Sequence, residues 1–451
     1  MVGERTLLST LTALVKRARA DAVSVCVHAK TRRVFRFAYE AIHQDLVQED
    51  ITVTAKLIRQ RRVGVASADS LEPAHLRRTL QAAAAIAAHS PQQKELAALP
   101  QRTRIRASGD YVRSTTRLSA AACVASLQRL FQLCKGAGAK LAGSLVTGED
   151  ELAVVNSAGV SCYAASTVSG AKLVTMYRNL SGYASGVHRD VTRLDLDGLL
   201  KESLRRSLHR QEAVSPPLGN YEVILEPEAV GELVSWLGYT AFGAKSVEER
   251  TSCLAGRMGE ALFAPEITIY DDGMEAASLR MPFDFEGTPK RRTVLIDRGR
   301  ATGIVYDTTY GARFGRPSSG HGMPPDEVEG PLPMHLGMAP GRTSLEAMIR
   351  SCRRGLLIPR FHYVNGLLNP REALMTGLTR EGTFLIERGK LSAPVATLRF
   401  TQSLLSAFRR VLGVSTQRRL IADPSQELGC AVMPALHLVA FKFTGRSESS
   451  S

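Results

Sequence analysis

Residues Val223–Thr240 read VILEPEAVGELVSWLGYT. Val223, Ile224 and Leu225 predict a strand, and Pro227 turns the chain into a helix. Val230, Leu233, Val234 and Leu237 form one apolar stripe on that helix, while Glu228 and Glu232 fall off it. A helix pinned behind a strand is a common mount for catalytic groups. This one carries Ser235, Trp236 and Thr240 along its middle and end.

Around this unit lies a chain of 451 residues, which predicts two domains rather than one core. Hydrophobic residues make up 44% and charged residues 22%, an ordinary globular balance. No apolar run approaches the ~18 residues of a membrane span. The early sequence is amphipathic, with Leu7, Leu8, Leu11, Leu14 and Val15, which predicts a surface helix and a cytoplasmic address. Seven scattered cysteines without C-x-x-C spacing argue against a disulfide framework or a zinc ribbon. The net charge of +15 is spread along the chain as arginine, without interleaved aromatics, which argues against a nucleic-acid partner.

The first half predicts a helix at about 5–20 and strands at 22–29, 32–41, 51–58 and 62–68. Helices are expected at 71–89, capped by Asp69 or Ser70, and at 118–135. Strands at 140–147, 152–158, 161–168, 171–178 and 182–188 follow, with TGEDE as a polar turn between the first two, and then a helix at 195–212. AVSPPLG at 213–219 reads as a linker. In the second half, TVLIDRGR at 293–300 and TFLIERGK at 383–390 predict two similar hairpins with Gly at the left-handed turn position. The fold class is therefore α+β, with two domains at 1–214 and 220–444. Each is a largely antiparallel sheet with packed helices, and 445–451 form a disordered tail.

The usual chemical motifs are absent. GYTAFGAKS at 238–246 misses a phosphate loop by one residue, which turns Lys245 away. SSGHG at 318–322 puts Ser319 near His321, but such neighbours are expected to point apart in a tight, exposed loop. None of the ten histidines lies within a helical turn of another, and none precedes a Glu, so no helix-borne zinc motif is present.

Several stretches in order resemble the TldD/PmbA (TldD/TldE) metalloprotease family. They are YEVILEPEAVGEL at 221–233, SCLAGRMGE at 252–260, ITIYDDG at 267–273, FDFEGTPKRRTVLIDRGRATGIVYD at 283–307, SSGHG, MHLGMAPG at 334–341, TGLTREGTFLIERGKL at 376–391 and LRFTQSLL at 398–405. The resemblance covers nearly the whole second half and, more loosely, the first. It implies a TldD-type zinc chain with His-Glu-x-x-x-His and a late Cys ligand, or a TldE/PmbA-type chain lacking both. The resemblance puts the degenerate motif at Ser235, Trp236 and Thr240, with the Cys position near Leu420 and only Cys430 close by. It implies no catalytic residue, metal or cofactor in this chain, with zinc in a TldD-type partner. The chain is then the non-zinc subunit of an oligomeric complex that encloses extended or unfolded peptides for proteolysis. Ser319, Gly320, His321, Gly322, Gly377, Thr379 and Arg380 are the expected peptide-lining residues. Two alternatives are an independent metallohydrolase using ligands scattered in sequence, such as His321, His335, His362 and Cys352, and a basic regulator associated with nucleic acid or gyrase.

Overall fold

The computed structural model describes residues 1–106, 110–424 and 429–446. Of the expected tail at 445–451, residues 447–451 lie outside them, while Gly445 and Arg446 belong to the last strand. The fold is α+β, built on two sheets.

The first sheet is wholly antiparallel. Its strands are β1 (Ala22–Ala38), β2 (Ala41–Arg59), β3 (Arg62–Ala68), β4 (Lys140–Asn156), β5 (Ser161–Tyr177) and β6 (Leu180–His188), in the order β3-β2-β1-β4-β5-β6. Several expected short strands are halves of these long ones. Lys30 and Thr31 carry no turn chemistry, so β1 continues to the hairpin at Tyr39 and Glu40, where φ turns positive.

The polar stretch TGEDE is a correction of the same kind: it lies inside β4 and is paired on both sides. Its carboxylates are satisfied in place. Asp150 accepts both Arg32 Nη2 hydrogen bonds, at 2.7 and 2.9 Å, and Glu151 accepts the Val2 and Gly3 amides. A run of acids needs a turn only when the strand offers it no donors.

Alternation along β1 sorts its two faces. Val23, Val25 and Val27 meet helices α1 (Glu4–Arg17) and α2 (Pro73–His89). Phe35 and Phe37 meet α3 (Ala120–Gly136), in a cluster shared with α4 (Leu196–Ser207). No Asp69 or Ser70 side chain caps α2: Glu72 holds the cap position, and Ser70 Oγ accepts from the Glu72 amide. Cys26, Val154 and Cys162 face the other way, onto Met281, Phe283 and Phe285 of the second half.

The second sheet has 13 strands. They are β7 (Gly219–Leu225), β8 (Ile269–Asp271), β9 (Thr293–Asp297), β10 (Arg300–Ala301), β11 (His335–Met338), β12 (Arg354–Ile358), β13 (Arg360–Asn369), β14 (Leu374–Arg380), β15 (Phe384–Glu387), β16 (Lys390–Pro394), β17 (Leu398–Ser403), β18 (Val411–Ile421) and β19 (Cys430–Arg446). The main path is β10-β9-β8-β11-β19-β7-β12-β15-β16, with β13, β14, β17 and β18 branching from it.

The two expected hairpins are present and close opposite ends of this path. Their turns at Arg298-Gly299 and Arg388-Gly389 have positive φ. The opening strand and helix are β7 and α5 (Pro227–Ala241). Val223 and Leu225 bury against the α5 stripe of Val230, Leu233, Val234 and Leu237. Ile224 points to the opposite face, under the short helix α6 (Leu345–Ser351).

Candidate functional site

A cleft of about 610 Å³ opens between the two sheets, where the polar face of α5 looks towards β5 and β6. Glu228, Gly231, Glu232 and Ser235 form that face at helical spacing. Lys172, Tyr183 and Ser185 supply the opposite wall, and Arg360, Ile421, Asp423 and Cys430 line the remainder. Ser185 Oγ donates to Glu228. Desolvation pushes the Glu228 carboxyl up, against the pull of Ser185 and of Arg419 and Arg206. Desolvation raises Glu232 as well, opposed by its hydrogen bond to Trp236. Arg360 stacks 4.0 Å from the Tyr183 ring centroid and donates to Glu381 at 2.7 Å, so its guanidinium is held at the wall. Lys172 pairs with Asp423 at 2.6 Å.

Of the three positions assigned to the degenerate motif, only Ser235 faces this cleft. Trp236 is half-buried against Gly366 and meets Tyr239 edge-on at 6.1 Å. Thr240 is buried, with its hydroxyl donating back to the Trp236 carbonyl at 2.8 Å. Each residue advances about 100° around a helix, so 236 and 240 leave the face shared by 228, 232 and 235. Glu228 and Glu232 were the missed residues. Their i,i+4 spacing on the polar face was the available signal. The thiol that lines the cleft is Cys430; Leu420, on β18, pairs with Val432 of β19.

The residues expected to line a peptide channel are elsewhere. Gly320, His321 and Gly322 are buried, and a Cβ on Gly320 would lie 2.4 Å from the Pro289 carbonyl oxygen. The expectation of an exposed loop is therefore overturned. So is the expectation that Ser319 and His321 point apart. Ser319 Oγ lies 2.9 Å from His321 Nδ1, and His321 Nε2 lies 2.8 Å from Asp271 Oδ1.

This order of groups resembles a nucleophile–base–acid chain, but His321 has 0% exposure. Ser319 Oγ also accepts from the Tyr306 amide and lies 3.1 Å from the Tyr306 carbonyl. No substrate reaches the imidazole. Gly377 and Thr379 are buried on β14, where Thr379 accepts from the Leu398 amide. Arg380 turns to Glu381. Nor does the structure gather the alternative ligand set of His321, His335, His362 and Cys352.

Asp271, Lys290, His321 and His335 form a sealed polar cluster behind Cys430. Burial works to raise Asp271, yet Lys290 and His321 hold it well below the usual carboxylate range. Burial and Lys290 lower His321, and the same causes push His335 down to about 3. A base depressed in this way contributes stability above its unfolded pKa of about 6.5, which is lost as pH falls below it. Between pH 7 and pH 5 His335 should therefore cost about 2 kcal/mol. His335→Gln should flatten the pH dependence of urea unfolding by that amount. An unchanged slope would show that His335 takes up its proton without hindrance.

The cleft does not fit a catalytic zinc. It offers two carboxylates that desolvation pushes upward and the Cys430 thiol, pushed up to about 12 by burial, with no lining histidine. Among the described residues, no three His, Cys, Asp or Glu groups of the cleft converge within ligand reach of one another.

Residues 218–445 match the profile described as the PmbA/TldA metallopeptidase C-terminal domain, and the chain belongs to this PmbA/TldD family. It is 30% identical over 169 residues to an uncharacterised protein of Methanocaldococcus jannaschii, covering 37% of this chain and 40% of that one. It is 27% identical over 237 residues to a protein of Haemophilus influenzae named a metalloprotease TldD homolog, covering 51% of this chain and 47% of that one. The chain thus spans about half the length of the curated relatives it matches. The fold is shared with the crystal structure of TldE from Thermococcus kodakarensis, at a TM-score of 0.87 and 21% identity over 97% of this chain and 100% of that one. It is also shared with a structure from Thermotoga maritima described as a putative modulator of a DNA gyrase. There the TM-score is 0.85 and the identity 17%, over 97% of this chain and 100% of that one. No helix among the described residues is long and apolar enough to cross a membrane.

Proposed function

We propose that this chain is the non-zinc subunit of a TldD/TldE-type metalloprotease complex, and that its cleft helps hold an extended or unfolded peptide for a zinc-bearing TldD-type partner. The observation that carries this reading is the α5 face in the cleft: Glu228, Gly231, Glu232 and Ser235 stand there, with no imidazole. In this reading Ser235, Trp236 and Thr240 stand where a zinc-bearing chain has its His, Glu and second His, and Ser235 is the one of the three that faces the cleft. The wall of Arg360, Tyr183 and Ser185 offers a fixed cation, an aromatic face and hydroxyl contacts to a peptide. Such contacts suit recognition with little sequence preference.

Co-expression with a TldD-type chain from the same genome tests the proposal. The pair should co-purify and cleave a denatured protein, and this chain alone should not. Ser235→Trp fills the cleft from an exposed position. It should lower cleavage by the intact pair about tenfold or more without breaking the pair, since the peptide then loses its ordered path. Peptidase activity from this chain alone, or full activity of the Ser235→Trp pair, would overturn the reading.

A further inference from the structure

Glu222, Cys352 and His437 come from β7, the residue after α6, and β19, so their sequence separation hides them from any motif search. In the fold their ligand atoms all lie within 4.8 Å of one another. The three sit on the α6 face of the second sheet, opposite α5 and away from the cleft. β-Sheet register explains the meeting. Glu222 and Ile224 share a face, and His437 is the antiparallel partner of Ile224, so its ring reaches diagonally to Glu222. His437 Nε2 is 2.7 Å from Glu222 Oε1. Gly355, the parallel partner of Glu222, makes room for the sulfur: a Cβ there would lie 2.6 Å from Cys352 Sγ.

We propose that Glu222, Cys352 and His437 form a mononuclear site for Zn(II), with a fourth position open to water. The donor set is one thiolate, one imidazole and one carboxylate, which is the mixture a borderline cation such as zinc selects. Zinc bonds of about 2.0–2.3 Å place tetrahedral ligands roughly 3.4–3.7 Å apart, inside the span of this cluster. The hydrogen bond of the metal-free cluster occupies the centre the ion would take. Binding opens the His437–Glu222 contact, the thiol gives its proton to water, and the neutral imidazole donates its Nε2 lone pair. Cys352 has 0% exposure and the His437 side chain 4%, but the Glu222 side chain is 26% exposed. An ion enters on the Glu222 side, and water completes the coordination there. The bound ion would tie α6 to the two central strands β7 and β19.

The test is a Co(II) titration of the full chain after chelator treatment, with Zn(II) as competitor. We expect about one equivalent of Co(II) bound, with a thiolate-to-cobalt charge-transfer band that Zn(II) abolishes. Cys352→Ser should remove the band, and His437→Gln should weaken binding about tenfold or more. Cys430→Ser should leave both unchanged, which separates this site from the cleft. Glu222→Gln changes a partly exposed carboxylate and decides the matter if either buried variant misfolds; it too should weaken binding about tenfold. The proposal is overturned if the wild type shows no band, if Cys352→Ser keeps it, or if Glu222→Gln binds as the wild type does. None of these outcomes bears on the peptide-holding role.

Discussion

Arg206→Ala should lower the unfolding free energy by about 3–5 kcal/mol. Arg206 is 4% exposed at the end of α4. Its guanidinium donates to the Tyr183 carbonyl and to Glu226, and pairs with Glu202 at 2.8 Å. Glu226 is itself buried and directly precedes α5; Arg206 donates to its Oε2, and its Oε1 has no hydrogen-bond partner. Truncating the arginine strands that carboxylate in a medium of low polarity, which costs far more than the ion pair contributes. Glu202 is protected because Arg419 also holds it, at 2.8 and 3.1 Å. The double variant Arg206→Met with Glu226→Leu removes both charges and should recover most of the loss. Guanidinium unfolding of the three proteins measures this. A loss below about 1 kcal/mol for Arg206→Ala would mean that water already reaches Glu226.

Asp271→Ala should cost a similar 3–5 kcal/mol or so. Asp271 has 0% exposure. Oδ1 lies 2.8 Å from His321 Nε2, and Oδ2 accepts the His335 amide at 2.6 Å. Lys290, with 1% of its side chain exposed, is 4.0 Å away. Removing the carboxylate leaves a buried cation and two buried donors short of their acceptor. Lys290→Met in the same background should restore part of the stability. The cycle should show coupling above about 1 kcal/mol. Strict additivity would mean that Asp271 does not balance Lys290.

The amphipathic stripe of α5, the two glycine hairpins and the sheet of the first half were legible because each is a local pattern of period 3.6, period 2 or turn chemistry. The site was legible only in part. Glu228 and Glu232 were visible as a polar face, but what that face meets depends on β5 and β6, some 50 residues earlier in the chain. TGEDE was misread as a turn because the donors that satisfy it, Arg32 and the Val2 and Gly3 amides, are more than a hundred residues away. Ser319 and His321 were expected to point apart in a tight, exposed loop. Gly320 between them has φ +78, and that left-handed kink brings both side chains to one side.

The placement of β19 governs how the protein can be made. This strand bonds to β11, β7, β17 and β18, and residues 436–443 pair with 219–225. During synthesis, β7 and α5 emerge long before the strand that joins them to the rest. Until then the apolar side of α5 and the β19 flank of β7 have no complete cover. The first sheet has no such wait, because all its strands precede residue 189. Its assembly can run ahead while the second half stays open, a low-polarity surface that chaperones would be drawn to until residue 446 is reached.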